Sequence, residues 1–484
     1  MGKPVTTERE PMAKVDTAWL RMESPHNLMM ITGVLTFAAP LAIKDLRELI
    51  GERFLAYRRF GQKPVDTGTA AFWETVPKPD LRWHVRTARL PRKGGKAELE
   101  KFVSDLASTP LDHSRPCWQF HLIEHYAGGS VLVARIHHCY ADGLALVQVM
   151  LSLTDTAAQA APRAESRKGW LPRERRGVIA RLLAPARKGI SKALDTGGAL
   201  VRNPVLAATM AREGSEIARE LAIALNLSDD PPTAFKSGAL GVRKRCAWTE
   251  PLPLAEVRAL GKALRCTVND ILLACAAGAL RGYLRDLGES VDGVTIRATV
   301  PVNLRPLEHA IELGNHFGLV FLDLPVGEAN PLRRLERVAA SMRELKRSKQ
   351  AALTFGLLAA VGMAPAALQR MALDMFSRKA TTVATNVPGP KKPMYLAGVE
   401  VKELMFWVPQ NGSVGMGVSI LSYNGRVHFG LIADQRRIAD PDAIADRFAR
   451  EVEKLTLLTL MEDWNADIAA GDAAATLERF TANA

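Results

Sequence analysis

Histidine is scarce in this chain, with ten in 484 residues, so two that stand side by side draw attention. Cysteine is scarcer still: Cys117, Cys139, Cys246, Cys266 and Cys275 are odd in number and include no C-x-x-C pair. That excludes a disulfide framework and a cysteine-based zinc site, and reads as free thiols in a reducing compartment. Met1 to Lys14 is charged and lacks an apolar core, so no secretory signal is expected. The formal myristoylation match Met1-Gly2-Lys3-Pro4-Val5-Thr6 is too short to carry weight. There is no G-x-S-x-G nucleophile elbow. With 48% apolar and 24% charged residues, the composition has neither the polarity of a disordered chain nor the apolar excess of a membrane bundle.

A net charge of +13 is present, and it is uneven. Between Arg163 and Lys192 stand ten basic residues against Glu165 and Glu174. A solvated linker face and a segment drawn to anionic lipid both fit this. Nucleic acid is not expected as a partner, because no helix-turn-helix or aromatic-rich strand accompanies the charge. Gln350 to Gln369 carries no charge at all, but Gly356, Gly362 and Pro365 favour a broken buried or interfacial helix over a span.

Periodicity predicts an α/β chain in two halves. Strands are expected at Leu28–Phe37, Ala71–Val76 and Leu81–Leu90, and helices at Leu41–Phe60 and Lys96–Ala107. A hairpin runs Trp118–His125 and Ser130–His137, and a helix follows Gly143. Residues 1–158 form the first half. Residues 159–235 are a basic, proline-punctuated crossover with helical pieces, and 236–484 resume the alternation as a second half. A cleft is expected between the halves.

In Val131-Leu132-Val133-Ala134-Arg135-Ile136-His137-His138, alternation sends the two imidazoles to opposite sides, so only one can face a given site. Asp142-Gly143 follows where strand must turn into helix, with glycine for the bend and aspartate to cap the helix or hold a cation. A base at a strand end beside a carboxylate suits proton transfer; a pair of structural histidines fits the residues at least as well. His121-Leu122-Ile123-Glu124-His125 matches H-x-x-E-H, which needs a helix. Here the segment reads as a strand, which puts its histidines about 13 Å apart. No metal site is expected there, nor from His137, His138 and Asp142.

His137-His138-x-x-x-Asp142-Gly143 resembles the HHxxxDG motif of the bacterial wax ester synthase/diacylglycerol acyltransferase family. Pro110-Leu111-Asp112-His113-Ser114-Arg115-Pro116-Cys117-Trp118 is similar to that family's PLDxxRPxW signature, with Cys117 where leucine is usual. Val268-Asn269-Asp270-Ile271 resembles its ND motif. Val300-Pro301-Val302-Asn303-Leu304-Arg305-Pro306 and Thr385-Asn386-Val387-Pro388-Gly389-Pro390 resemble later blocks, and Asp16-Thr17-Ala18-Trp19-Leu20-Arg21-Met22-Glu23 the opening one. Asn27-Leu28-Met29-Met30 departs from the family, which usually has a Met-His pair there.

The resemblance implies a chloramphenicol-acetyltransferase-like fold, two α/β halves with a tunnel between them. It implies transfer of a fatty acyl group from acyl-CoA, a co-substrate with no further cofactor, to diacylglycerol or a long-chain alcohol. His138 would be the general base, His137 its support, and Asp142 with Gly143 the loop scaffold. Asp142 would pair with an arginine, Arg305 first and Arg115 second. Asn269 and Asp270 would cap their helix or face the reacting carbonyl, and Asn386 would position substrate. Such substrates imply a cytoplasmic protein visiting the inner membrane face or lipid inclusions. The same fold with another acceptor, and a non-catalytic lipid-binding protein, remain as alternatives.

Overall fold

The apolar run that ends in the histidine pair sits at the centre of a sheet. In the computed structural model, which describes residues 8–91, 94–158, 227–304, 315, 317–348, 350–351, 354 and 366–461, the Gly129–His137 strand is buried along its whole length. It pairs antiparallel with Trp118–Tyr126 across a turn where Ala127 and Gly128 take φ of 48° and 82°. On its other side lies Met30–Phe37. Arg135, the charge within this buried strand, donates to the main-chain oxygens of Leu106 (2.8 Å) and Thr109 (2.7 Å), which replaces the water it has lost. The crossover 159–226, Arg305 and most of Gln350–Gln369 lie outside the described residues.

The second sheet runs Phe317–Leu324, Ile296–Asn303, Thr382–Pro388, Met416–Tyr423, Arg426–Asp434 and Lys244–Trp248 in spatial order. Thr382–Pro388 is parallel to both of its neighbours, and the remaining pairs are antiparallel. The helices Val268–Asp286, Pro331–Arg347 and Pro441–Met461 pack with this sheet around one apolar core. Among the described residues no single helix is long and apolar enough to cross a membrane.

Two local expectations are revised. Leu81–Leu90 is not one strand: Asp80 Oδ1 accepts from the Arg82 and Trp83 amides (2.9 and 3.3 Å), starting a helical turn Leu81–His84 before the strand Val85–Ala88. The helix expected over Leu41–Phe60 stops as a helix at Leu49 and continues as a wider π turn, Ile50–Phe54.

The two halves share a sheet. Met394–Leu396 and Val399–Trp407 form a hairpin turned by Ala397 and Gly398 (φ 47° and 80°), and its longer strand pairs with Met30–Phe37 of the first half. Alternation drives the insertion: Leu404 and Phe406 enter the first-half core, while Met405 and Trp407 pack with Leu99, Val103 and Cys246 between the halves. Asn27, where the family resemblance breaks, adds a polar tie. Its amide donates to the Gly412 and Val414 carbonyls, and Lys244 Nζ, 3.4 Å from buried Asp434, donates to Asn27 Oδ1 at 3.0 Å.

In the second core, Arg334 is held by the Glu451 carboxylate, the Ala274 carbonyl (3.1 Å) and the Glu328 carbonyl (2.9 Å). Gly278 makes room for this pair, since a Cβ there would lie 2.2 Å from Glu451 Oε2.

Candidate active site

Every residue from His137 to Asp142 is buried, and Tyr140 explains how a loop can be. Its hydroxyl donates to the Gln62 carbonyl (2.6 Å) and accepts from the Cys117 amide (2.9 Å), while its ring stacks on Phe60. The Cys117 carbonyl accepts from the His137 amide at 2.9 Å, and Trp118 Nε1 donates to the Phe60 carbonyl at 2.8 Å. The Pro110–Trp118 run therefore braces the histidine loop from beneath. Asp142 Oδ1 accepts from the Ala145 amide (2.9 Å) and caps the Gly143–Ser152 helix. Arg115, the second choice of partner for Asp142, lies half-exposed over the Trp83 ring, 3.5 Å from Asp112.

The two imidazoles part as alternation requires. His137 Nδ1 accepts from the Cys139 amide (3.1 Å), so Nε2 carries the proton and donates to Glu23 Oε2 at 2.5 Å. Burial would raise the Glu23 pKa, but hydrogen bonds from His113 and His137 outweigh it and bring it down to about 2. His113 stands 3.6 Å from the same oxygen. The three side chains bring metal-ligating atoms within 4.8 Å of one another. Two ligands of one tetrahedral zinc would sit about 3.3 Å apart, so the 2.5 Å contact reads as a carboxylate–imidazole hydrogen bond.

His138 turns the other way. Its amide donates to the Met29 carbonyl (2.7 Å), and its ring stacks on Trp19 with centroids 4.2 Å apart. Phe317 closes on it at 5.7 Å. Burial, with a smaller contribution from His137, pushes its pKa down to about 3, against opposing pulls from its own main-chain carbonyl and the Asn315 side chain. His138 is therefore neutral across the physiological range.

The second-half candidates form a separate group. Thr267, not Asn269 or Asp270, is the helix N-cap. Asp270 Oδ2 accepts from the Thr267 amide (2.9 Å) and hydroxyl (2.7 Å), completing a capping box. Asn269 Oδ1 accepts from Asn386 Nδ2 at 2.5 Å, tying the helix start to the Thr382–Pro388 strand.

Between the Gly143–Ser152 helix and the first sheet lies an apolar pocket of about 610 Å³ counted to its open mouth, lined among others by Gly33, Ile136, Gly143, Met150, Thr154 and Met394. The lining follows the helix from Gly143, at the histidine-loop end, to Leu151, a rise of about 12 Å.

The sequence pattern of the wax ester synthase/diacylglycerol acyltransferase catalytic domain matches residues 12–272, more than half of the chain, and that of the WS/DGAT C-terminal domain matches 313–456. The chain belongs to this family. A Mycobacterium tuberculosis protein named as a diacylglycerol O-acyltransferase is 29% identical over 424 residues, spanning 85% of this chain and 87% of that one. The fold is similar to that of the wax ester synthase/diacylglycerol acyltransferase from Marinobacter aquaeolei VT8, at TM-score 0.67 and 22% identity, covering 93% of this chain and all of the other. The first condensation domain of the calcium-dependent antibiotic synthetase shares it too, at TM-score 0.60 and 16% identity over 93% of this chain and 97% of that one. The two-halved α/β architecture of the acyltransferase family is thus the fold of this chain.

Sequence reading missed four residues around the family motif: Asp16, Trp19, Glu23 and Asn315. The first three lie in the opening block of the family pattern, which by itself gives them no roles. Asp16 and Trp19, three apart, share a face of the Lys14–Arg21 helix, Glu23 follows just past its end, and that spacing was the available signal.

Proposed function

We infer that this acyltransferase moves a fatty acyl group from acyl-CoA to the hydroxyl of diacylglycerol or a long-chain alcohol, with His138 as the general base. One observation carries the reading: a buried imidazole, held neutral, five residues before Gly143, where an apolar pocket along the Gly143–Ser152 helix begins. His138 takes the proton from the acceptor hydroxyl as its oxygen bonds to the thioester carbonyl carbon. The C–S bond then breaks, and the proton passes to the departing CoA thiolate. A neutral base is free to accept that proton, and no acyl-enzyme is needed. Labelled acyl-CoA incubated with hexadecanol or dioleoylglycerol should yield labelled ester. No ester from either would sink the reading and favour another acceptor.

An alkyl chain fits the pocket, which is lined almost wholly by hydrocarbon. At Gly33, which lines the pocket, an added Cβ would meet nothing closer than 3.7 Å. Gly33→Leu is expected to cut turnover of palmitoyl-CoA about tenfold or more while sparing butyryl-CoA. An equal loss with both donors would place the chain elsewhere.

Substrates of this kind reside in lipid, and a cytoplasmic enzyme must visit its surface, the inner membrane face or a lipid inclusion. The basic stretch Arg163–Lys192 is the candidate contact. Replacing the arginines from Arg163 to Arg187 by glutamine should weaken sedimentation with anionic liposomes at low salt, and unchanged sedimentation would reject that assignment.

A further inference from the structure

Behind His138 is a second polar group that the family motif does not include. Asn315 is buried, and its surroundings fix which way its amide faces. Asp16 Oδ1 accepts from the Asn315 main-chain amide (3.1 Å) and from Nδ2 (2.8 Å), and the other Nδ2 hydrogen goes to the His138 carbonyl at 2.9 Å. Both neighbours are acceptors, so the amide nitrogen must face them and Oδ1 must face away. Oδ1 is buried and has no partner among the described residues, and the same holds for His138 Nδ1.

We propose that Asp16 and Asn315 are positioning residues for His138: Asp16 anchors the Asn315 amide, and Asn315 in turn holds the His138 carbonyl and offers the imidazole its acceptor. This rests on His138 being the base. Two acceptors then serve the Nδ1 side of the ring, the carbonyl that Asn315 clamps and Asn315 Oδ1. Nδ1 is unpaired at rest, and its N–H turns to one of these acceptors as Nε2 takes the proton of the acceptor hydroxyl. Trp19 stacked on one ring face sets the tilt. When the ring becomes imidazolium during transfer, its charge stays on the ring and is stabilised by the Asn315 amide dipole, which the Asp16 carboxylate orients. The arrangement matters because a deeply buried imidazole is fully unprotonated but a weak base, so anything that stabilises its protonated form adds rate.

Asp16 itself titrates in a useful range. Burial raises its pKa to about 6, against the hydrogen bonds from Asn315 and the nearby Arg59, and with help from the nearby Asp142. Below that pH the carboxyl becomes neutral and the support weakens, whereas His138 stays unprotonated until far lower. Activity should therefore fall on the acid side at the Asp16 titration.

The test uses the full-length enzyme. Asn315→Ala and Asp16→Asn are expected to lower kcat about 10- to 100-fold, with KM for acyl-CoA changed less than about threefold, and Asp16→Asn should displace the acid limb of the pH–rate profile. Thermal unfolding identifies variants that fail to fold. If Asn315→Ala does, Asn315→Ser keeps one donor and is expected to be intermediate. Folded variants with kcat within twofold of wild type and unshifted pH profiles overturn the proposal. An active His138→Ala would instead overturn the base assignment, so the two failures are distinguishable.

Discussion

Replacing His138 by glutamine is expected to lower kcat/KM by about 10²–10⁴-fold, the usual contribution of a positioned general base. The fold should survive. The loop is held by Tyr140, by the Asp142 cap and by main-chain bonds from His138 to Met29 and Asn315, none of which uses the imidazole. Amide-for-imidazole also keeps a flat group against Trp19. His137→Gln should behave differently, because its Nε2 holds the buried end of Glu23 and its loss loosens the loop as a whole. Steady-state kinetics with palmitoyl-CoA, beside a thermal melt, separates the two. A His138→Gln enzyme within tenfold of wild type would remove the base from the mechanism.

A second large effect is expected far from the reacting atoms. Glu451→Gln leaves Arg334 charged in the core of the second half, where its guanidinium is nearly inaccessible to water. Breaking a buried pair by removing one partner costs about 3–5 kcal/mol, largely because the remaining charge is uncompensated. Arg334 keeps its two carbonyl acceptors, which favours the lower end of that range. Gly278→Ala should act through the same pair, by pressing a methyl group onto the carboxylate. The double change Arg334→Met with Glu451→Leu should recover most of the loss, since an apolar pair needs no solvation. Urea unfolding of the four proteins checks this, and a double variant no more stable than Glu451→Gln alone would contradict it.

Local rules carried much of this structure. Alternation sends His137 and His138 to different partners, and the Asp142 side chain caps the helix it precedes. Reading fell short where the partner is distant in the chain. Glu23 is 114 residues from His137, and Asn315 is 177 residues from His138. Neither distance leaves a periodic trace. The ND block shows the same limit from the other side: its helix was legible, but the cap belongs to Thr267, two residues before Asn269, and the meeting of Asn269 with Asn386 depends on sheet order. The hairpin of Met394–Trp407 carried a turn signal at Ala397-Gly398, yet nothing local says which sheet it joins.

That hairpin limits how the enzyme can open. Its strand is bonded to Met30–Phe37, and Met30–Phe37 to the very strand that ends in His137. Swinging the halves apart like a clamshell would unzip a ladder beside the histidine pair and unseat His138 each time. Substrates too greasy to dissolve are better served by a fixed frame with an entrance, through which chains thread end-on while the backbone around the imidazole stays still.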